Sequence, residues 1–290
     1  MAYSYAKIER LHYHLFLTYY VFKVSKCFSN RFIDLLSSYL STRLGISGIR
    51  NLLRNAVYVA LILHDIGKAY AGYQERMKGP YGEVSFKYHE LLSALITYSY
   101  LKELAEGIVR EVSKDPNTRR ELRRYIVIPS SLAVLMHHEA LRDYTEVLNR
   151  LSTEVRELLN EVESKGFVIE EVALIQRILH SLGIREPVLN EVIDKLLKEG
   201  LHHSYTSFRR DVRNSQGSPE VNYLTTNITA AIQLCDRFAA TIVRSDVAGI
   251  TRRLEREFMS YCLDLSESQD IDKLRRNAVR ELTKIFQSIR

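Results

Sequence analysis

Val57-Tyr-Val-Ala-Leu-Ile-Leu-His64-Asp65-Ile-Gly67-Lys68-Ala-Tyr-Ala-Gly-Tyr73-Gln74 decides how the rest of the chain is read. Residues 56 to 63 are apolar or aromatic without a break, the composition of a helix buried on most of its surface. That run ends in His64 and Asp65, with Lys68 a turn further on. Taking an unpaired carboxylate and an imidazole out of water is costly, so this helix end needs a cation, a counter-charge or water. A cap, or an ion pair with Lys68, meets the same need in the plainest way. A metal site therefore has to find its other ligands elsewhere in the chain.

Towards the N-terminus, a first helix over about residues 6 to 28 carries His12 and His14, and a second covers about 31 to 44. Gly45 to Gly48 make the turn into the helix quoted above. Towards the C-terminus, the loop Gly79-Pro-Tyr-Gly-Glu83 precedes a helix opening near Lys87, with His89 in its first turn and Ser93 one turn later. After the basic stretch Arg119 to Arg124, Pro129 is expected to start a short apolar helix that ends in His137-His138-Glu139. An apolar rod again delivers metal-capable groups at its tip.

Three amphipathic helices with charged outer faces follow between Tyr144 and Gly200. The segment from His202 to Gly217 reads as a loop holding a basic cluster, Arg209, Arg210 and Arg213, and the aromatics Tyr205 and Phe208. A long helix over about 219 to 243 sets Asp236 among Ile232, Leu234, Cys235, Phe238 and Ala239, where a carboxylate wants a buried partner. Helices over about 251 to 263 and 271 to 289 close the bundle. With no repeat, low-complexity tract or clear linker, residues 1–290 read as one all-α domain, a metal core over about 6–243 and closing helices over about 244–290.

Hydrophobic residues make up 46% and charged residues 26% of the chain, which fits a folded globular protein and not a disordered one. No apolar run approaches the roughly 20 residues that span a bilayer, and the N-terminus lacks the apolar core of a signal peptide, so a cytoplasmic protein without a membrane partner is expected. The net charge of +6 permits a polyanionic partner without requiring one. Cys27, Cys235 and Cys262 are widely spaced and form no C-x-x-C pair, so they read as buried small hydrophobes and not as a disulfide framework or a zinc ribbon. His180 and the tandem His202-His203 read as surface residues.

The helices together deliver His14 or His12, His64 with Asp65, His89, His137 with His138, and Asp236. Imidazoles and carboxylates without thiolate suit Mn²⁺, Fe²⁺, Co²⁺ or Ni²⁺ better than a structural zinc or a dedicated Mg²⁺ site. Two divalent ions sharing the Asp65 carboxylate would use all of these ligands. His12 and His14 face different sides of one helix, so one of the two is the ligand.

The order His14, His64-Asp65-Ile-Gly67-Lys68, His89-x-x-x-Ser93, His137-His138 and Asp236 resembles the HD-domain metal-dependent phosphohydrolases, whose fold is an all-α helical bundle. With its tandem histidines and Tyr73-Gln74, the chain is most similar to the CRISPR-associated HD nucleases, the nuclease half of the type I interference helicase-nuclease. The motifs run from residue 14 to residue 236. The resemblance implies one ion held by His14, His64, Asp65 and Asp236 and a second by Asp65, His89, His137 and His138. Lys68 would lie near the scissile phosphate beside the catalytic His64 and Asp65, and Ser93 would stand behind the ligands or face the substrate.

It further implies two-metal hydrolysis of phosphodiester bonds in single-stranded DNA, with RNA as a second polymer, during CRISPR interference. Lys68, Ser93, Arg209, Arg210 and Arg213 are then the candidate nucleic-acid contacts, with Tyr205 and Phe208 offering faces for base stacking. The chain has no G-x-x-x-x-G-K-[ST] loop, so a separate helicase subunit and a guide-RNA surveillance complex are the implied partners. The alternatives are an HD phosphohydrolase acting on nucleotides or cyclic nucleotides, and a non-catalytic HD-fold binding module.

Overall fold

Two apolar rods form the centre of the molecule. In the computed structural model, Ile49–Leu63 (α3) and Ile128–Met136 (α7) are buried along most of their length, with Val57, Val59, Ala60, Leu61, Ile62 and Leu63 at 0% exposure. Each large aliphatic side chain removed from water stabilises the fold by about 1.5–3 kcal/mol, so a run of this kind has to lie inside. The structure describes residues 3–5, 9–45, 49–77, 85–112, 116–138, 144–248, 261–263 and 268–287.

A short antiparallel ribbon, β1 (Tyr3–Tyr5) and β2 (Glu9–Arg10), leads into α1 (Leu11–Val24) and α2 (Ser29–Leu44). After α3 come a 3₁₀ turn (Ile66–Ala69), α4 (Ala71–Met77), α5 (His89–Val112) and α6 (Pro116–Leu122). Beyond α7 lie α8 (Tyr144–Lys165), α9 (Ile169–Ser181), α10 (Leu189–Glu199), α11 (Leu201–Asn214), α12 (Pro219–Ala248) and α13 (Ser268–Gln287). This is the all-α bundle with additional C-terminal helices that the periodicity predicts. The 30-residue α12, about 45 Å long at 1.5 Å per residue, packs along α7 and α1, and α5 packs on the other side of α7. Helices α1, α3, α5, α7 and α12 therefore surround one interior point. Among the described residues, no helix is long and apolar enough to cross a membrane.

Three expectations are corrected. Pro129 lies in the first turn of α7, as expected, but it does not open a separate helix, because α6, a π-helical turn (Arg123–Val127) and α7 follow one another without a gap. Proline has no N–H and its ring crowds the carbonyl four residues earlier. The wider turn, in which Ile128 N–H reaches back to Arg123 O, accommodates it. The segment from His202 is helical and not a loop: Leu201, Tyr205, Phe208 and Val212 recur at helical spacing and are all buried. Phe208, at 0% exposure, packs against Tyr98 with ring centroids 5.2 Å apart. Phe208 is thus a core residue that offers no stacking face for bases, and Tyr205, 8% exposed, reaches the surface only at the wall of a cavity.

The third correction concerns the cysteines. Cys27 and Cys262 form a disulfide, with Cα atoms 5.2 Å apart and the Lys26 N–H donating to the Cys262 carbonyl at 2.9 Å. The two are separated by 235 positions, so sequence spacing carries no trace of the pairing. Cys235 is the buried free thiol. Residues 79–83, Glu139 and most of the helix expected over 251–263 lie outside the described residues.

Candidate metal centre

The buried ends of the central helices bring the site together. His64 and Asp65 follow α3 directly, His137 and His138 follow α7, His89 opens α5, His14 lies in the first turn of α1, and Asp236 projects from the middle of α12. Behind Asp65 the chain turns sharply, with the Lys68 N–H donating to the Asp65 carbonyl at 2.9 Å. Gly67 passes so close to the start of α5 that a Cβ placed there would lie 2.2 Å from the His89 carbonyl oxygen. The Gly67 N–H donates to Ser93 Oγ at 2.9 Å, and Ser93 is wholly buried, so it supports the turn from behind and does not face a substrate. Gln74 Nε2 donates to the Lys68 carbonyl at 2.6 Å and the Tyr73 hydroxyl donates to the Lys87 carbonyl. Tyr73 and Gln74 therefore brace the two loops that present Lys68 and His89.

Around Asp65 the donors fall into two groups. His14 Nε2 lies 3.6 Å from Asp65 Oδ2 and 2.9 Å from Asp236 Oδ1, and His64 Nε2 is 3.7 Å from each of those oxygens. On the other oxygen, His89 Nε2 is 2.9 Å and His137 Nε2 3.4 Å from Asp65 Oδ1, with His138 Nε2 3.3 Å from His89 Nε2. Within each group of four residues the donor atoms lie within 4.8 Å of one another, and Asp65 belongs to both.

Each of four imidazoles is held from behind. His64 Nδ1 meets the Leu61 carbonyl at 2.9 Å, His89 Nδ1 the Phe86 carbonyl at 2.7 Å and His137 Nδ1 the Val134 carbonyl at 2.6 Å. His14 Nδ1 meets Glu9 Oε1 at 3.0 Å. A carbonyl or carboxylate oxygen accepts, so Nδ1 carries the hydrogen and the Nε2 lone pair points inward, the tautomer a metal ligand requires. The Nε2 atoms of His14, His64 and His137, together with Asp65 Oδ1, are buried, and among the described residues their close polar neighbours are the other members of the cluster itself, none in good hydrogen-bond geometry. Buried polar atoms left so in one place ask for a cation.

Burial alone would raise the Asp65 carboxyl, but the Lys68 ammonium, 2.5 Å from Oδ2, and the imidazoles of His64 and His89 outweigh it and hold Asp65 well below the usual carboxylate range. For Asp236 burial is likewise overcome, by His14 and His64. Both carboxylates are ionised and available as ligands.

The remaining candidates stand apart from this cluster. His12 turns to the far side of α1, where its Nδ1 and backbone N lie 2.8 and 2.7 Å from Oε1 of the buried Glu171. Arg210 and Arg213 are exposed on α11 and Arg209 is half-buried there, lining with Tyr205, Thr206 and Asn214 a surface cavity of about 250 Å³. Arg123 pairs with Asp211 and Tyr98, which ties the π-helical turn to α11 and α5. His180 is exposed. Sequence reasoning missed Glu9, an acidic residue two positions before the first helix that nothing in its spacing marks out, and Glu171.

Residues 35–200 match the model of the HD domain, more than half of the chain. The protein belongs to the HD-domain family. Comparison with curated proteins and with solved structures gives no match. The matched stretch of this HD protein holds His64, Asp65, His89, His137 and His138, while His14 and Asp236 lie outside it and reach the site through α1 and α12. Family membership and the two His/Asp groups together support a metal-dependent phosphohydrolase. The donor set fits divalent ions, since seven residues offer imidazole nitrogen or carboxylate oxygen and none offers sulfur.

Proposed function

We propose that this HD protein hydrolyses phosphate esters of nucleotides or cyclic nucleotides at a pair of divalent ions held on either side of Asp65. The observation that supports this most directly is the single buried carboxylate whose two oxygens face two separate groups of inward-pointing donors. His14, His64, Asp65 and Asp236 would hold one ion, and Asp65, His89, His137 and His138 the other. The ions, of the Mn²⁺, Fe²⁺, Co²⁺ or Ni²⁺ class, would activate water and offset charge developing on the phosphate. The protein itself positions the donors, buries five of the seven while leaving His138 exposed and Asp236 partly so, and sets the Lys68 ammonium, on a side chain 13% exposed, at the edge where a phosphate would enter.

A second reading has a specific observation in its favour. The three arginines on α11 line one cavity with no acidic side chain among its described lining residues, which suits a substrate with several phosphates. On this reading, which also draws on the likeness of Tyr73-Gln74 and the tandem histidines to the CRISPR-associated HD nucleases, the substrate is single-stranded DNA or RNA. The partners would be a separate helicase subunit and a guide-RNA surveillance complex in the cytoplasm.

Incubation with Mn²⁺ and either a panel of mononucleotides and cyclic nucleotides or an end-labelled single-stranded oligonucleotide separates the readings, with Asp65→Ala as the inactive control. Turnover of the small substrates alone supports the first. Cleavage of the oligonucleotide, weakened in an Arg209→Ala, Arg210→Ala, Arg213→Ala triple variant, supports the second. Two bound ions with no turnover of either substrate would overturn both in favour of a binding module.

A further inference from the structure

The four buried-side imidazole contacts are not equivalent. His64, His89 and His137 each give Nδ1–H to the backbone carbonyl of the residue three positions earlier, Leu61, Phe86 and Val134, and His89 Nδ1 also lies 3.3 Å from Oε2 of the 26% exposed Glu90. His14 instead gives it to a carboxylate, Glu9 Oε1, 3.0 Å away on β2. Both side chains are nearly closed to solvent, at 3% exposure for His14 and 1% for Glu9, so water does not screen the pair. A carboxylate behind an imidazole fixes the ring and makes its far nitrogen a better electron donor than a neutral carbonyl does.

That asymmetry coincides with a second one. The group containing His14 and His64 has two carboxylates, Asp65 and Asp236, whereas the group containing His89, His137 and His138 has Asp65 alone. With Glu9 behind His14, one side of the centre gathers three carboxylates, while the other has Asp65 and, behind His89, the 26% exposed Glu90, whose charge water screens as it does not screen that of the 1% exposed Glu9.

We propose that Glu9 is a positioning residue for one ion only: it orients and strengthens His14 as a ligand, so that the ion shared by His14, His64, Asp65 and Asp236 depends on it and the ion at His89, His137 and His138 does not. This rests on the two-ion reading above. Replacement of such a carboxylate behind a ligating histidine typically costs about 10–100-fold in metal affinity. Glu9→Gln retains an oxygen that can accept from His14 Nδ1 and removes the charge, so it tests the electrostatic part with little change of shape.

The experiment is calorimetric titration of the full-length chain with Mn²⁺ after chelator treatment, with the number of bound ions checked by electron paramagnetic resonance. Asp236→Asn, which removes a ligand's charge, and His138→Ala, which removes a ligand, each alter one group only and assign the two binding steps. Glu9→Gln is expected to weaken the step that Asp236→Asn weakens by about 10-fold or more, and to leave the step assigned by His138→Ala within about twofold of the unaltered protein. Its thermal midpoint in chelator should equal that of the unaltered chain, and Glu9→Asp should restore part of the affinity. The inference is overturned if Glu9→Gln leaves both steps unchanged, weakens both alike, or shifts the step belonging to His138. Failure of the unaltered chain to bind Mn²⁺ at all would instead remove the two-ion reading, and this inference with it.

Discussion

Gly67→Ala tests the geometry of the centre without touching a ligand. The added methyl group would sit 2.2 Å from the His89 carbonyl oxygen and 3.0 Å from both the His89 carbonyl carbon and Leu92 Cβ. Carbon and oxygen atoms in contact settle at about 3.5 Å, so the first turn of α5 or the turn after Asp65 has to retreat by about 1 Å. The two nearest to the clash, the His89 carbonyl oxygen and carbon, are backbone, and Leu92 Cβ is fixed to its own, so none can swing aside as the end of a flexible side chain would. Overpacking of this kind costs about 1–3 kcal/mol. The functional cost is larger than the stability figure suggests, because His89 Nε2 is 2.9 Å from Asp65 Oδ1 and metal sites tolerate ligand displacements of only about 0.2 Å. Gly67→Ala is therefore expected to lower the thermal midpoint in chelator by several degrees, roughly 2–4 °C per kcal/mol, and to abolish the ion bound by His89, His137 and His138. Differential scanning calorimetry and metal content after gel filtration read both effects. An alanine variant that keeps the original midpoint and both ions would refute the close-approach argument.

The other expectations are smaller in scope. His14→Ala should eliminate hydrolysis and one ion, while His12→Ala should leave both intact and lower stability by about 1–3 kcal/mol, because the buried Glu171 loses its imidazole partner; urea unfolding beside a turnover assay distinguishes them. Asp65→Ala should release both ions and Asp236→Asn one, as counted by atomic absorption, and equal losses would argue against a shared carboxylate. Cys27→Ser removes a cross-link spanning 235 positions, worth up to about 5 kcal/mol by chain entropy, and the unaltered protein in dithiothreitol should unfold at the same urea concentration as the variant.

The all-α fold was legible because long amphipathic and apolar runs carry their own period, and the ligand-bearing helix tips because ionisable groups ending a buried run have few explanations. The residue pattern alone did not choose between His12 and His14; only the family resemblance pointed to His14. Each lies on a plausible face of α1, and the structure separates them by giving one to Glu171 and the other to Asp236. The helix over 201–214 was misread because polar residues dominate it by number, while four apolar positions at helical spacing determine how it lies. Pro129 was misread because a proline usually breaks a helix, and a widened turn is invisible in composition. The Cys27–Cys262 bond and the Glu9–His14 contact depend on tertiary proximity, which no local pattern encodes.

Helices α3 and α7 end at the candidate metal centre while α1 and α5 begin there, so the opposite half-charges of their ends largely offset one another. What remains is the negative charge of the carboxylates of Asp65, Asp236 and Glu9, all largely closed to solvent. Such a pocket attracts cations and repels phosphate until it has been neutralised. On the proposed two-ion reading, the ions would have to arrive first and the anionic substrate second. Chelator-treated protein should accordingly show no measurable affinity for a nucleoside monophosphate, and should acquire it as Mn²⁺ is restored.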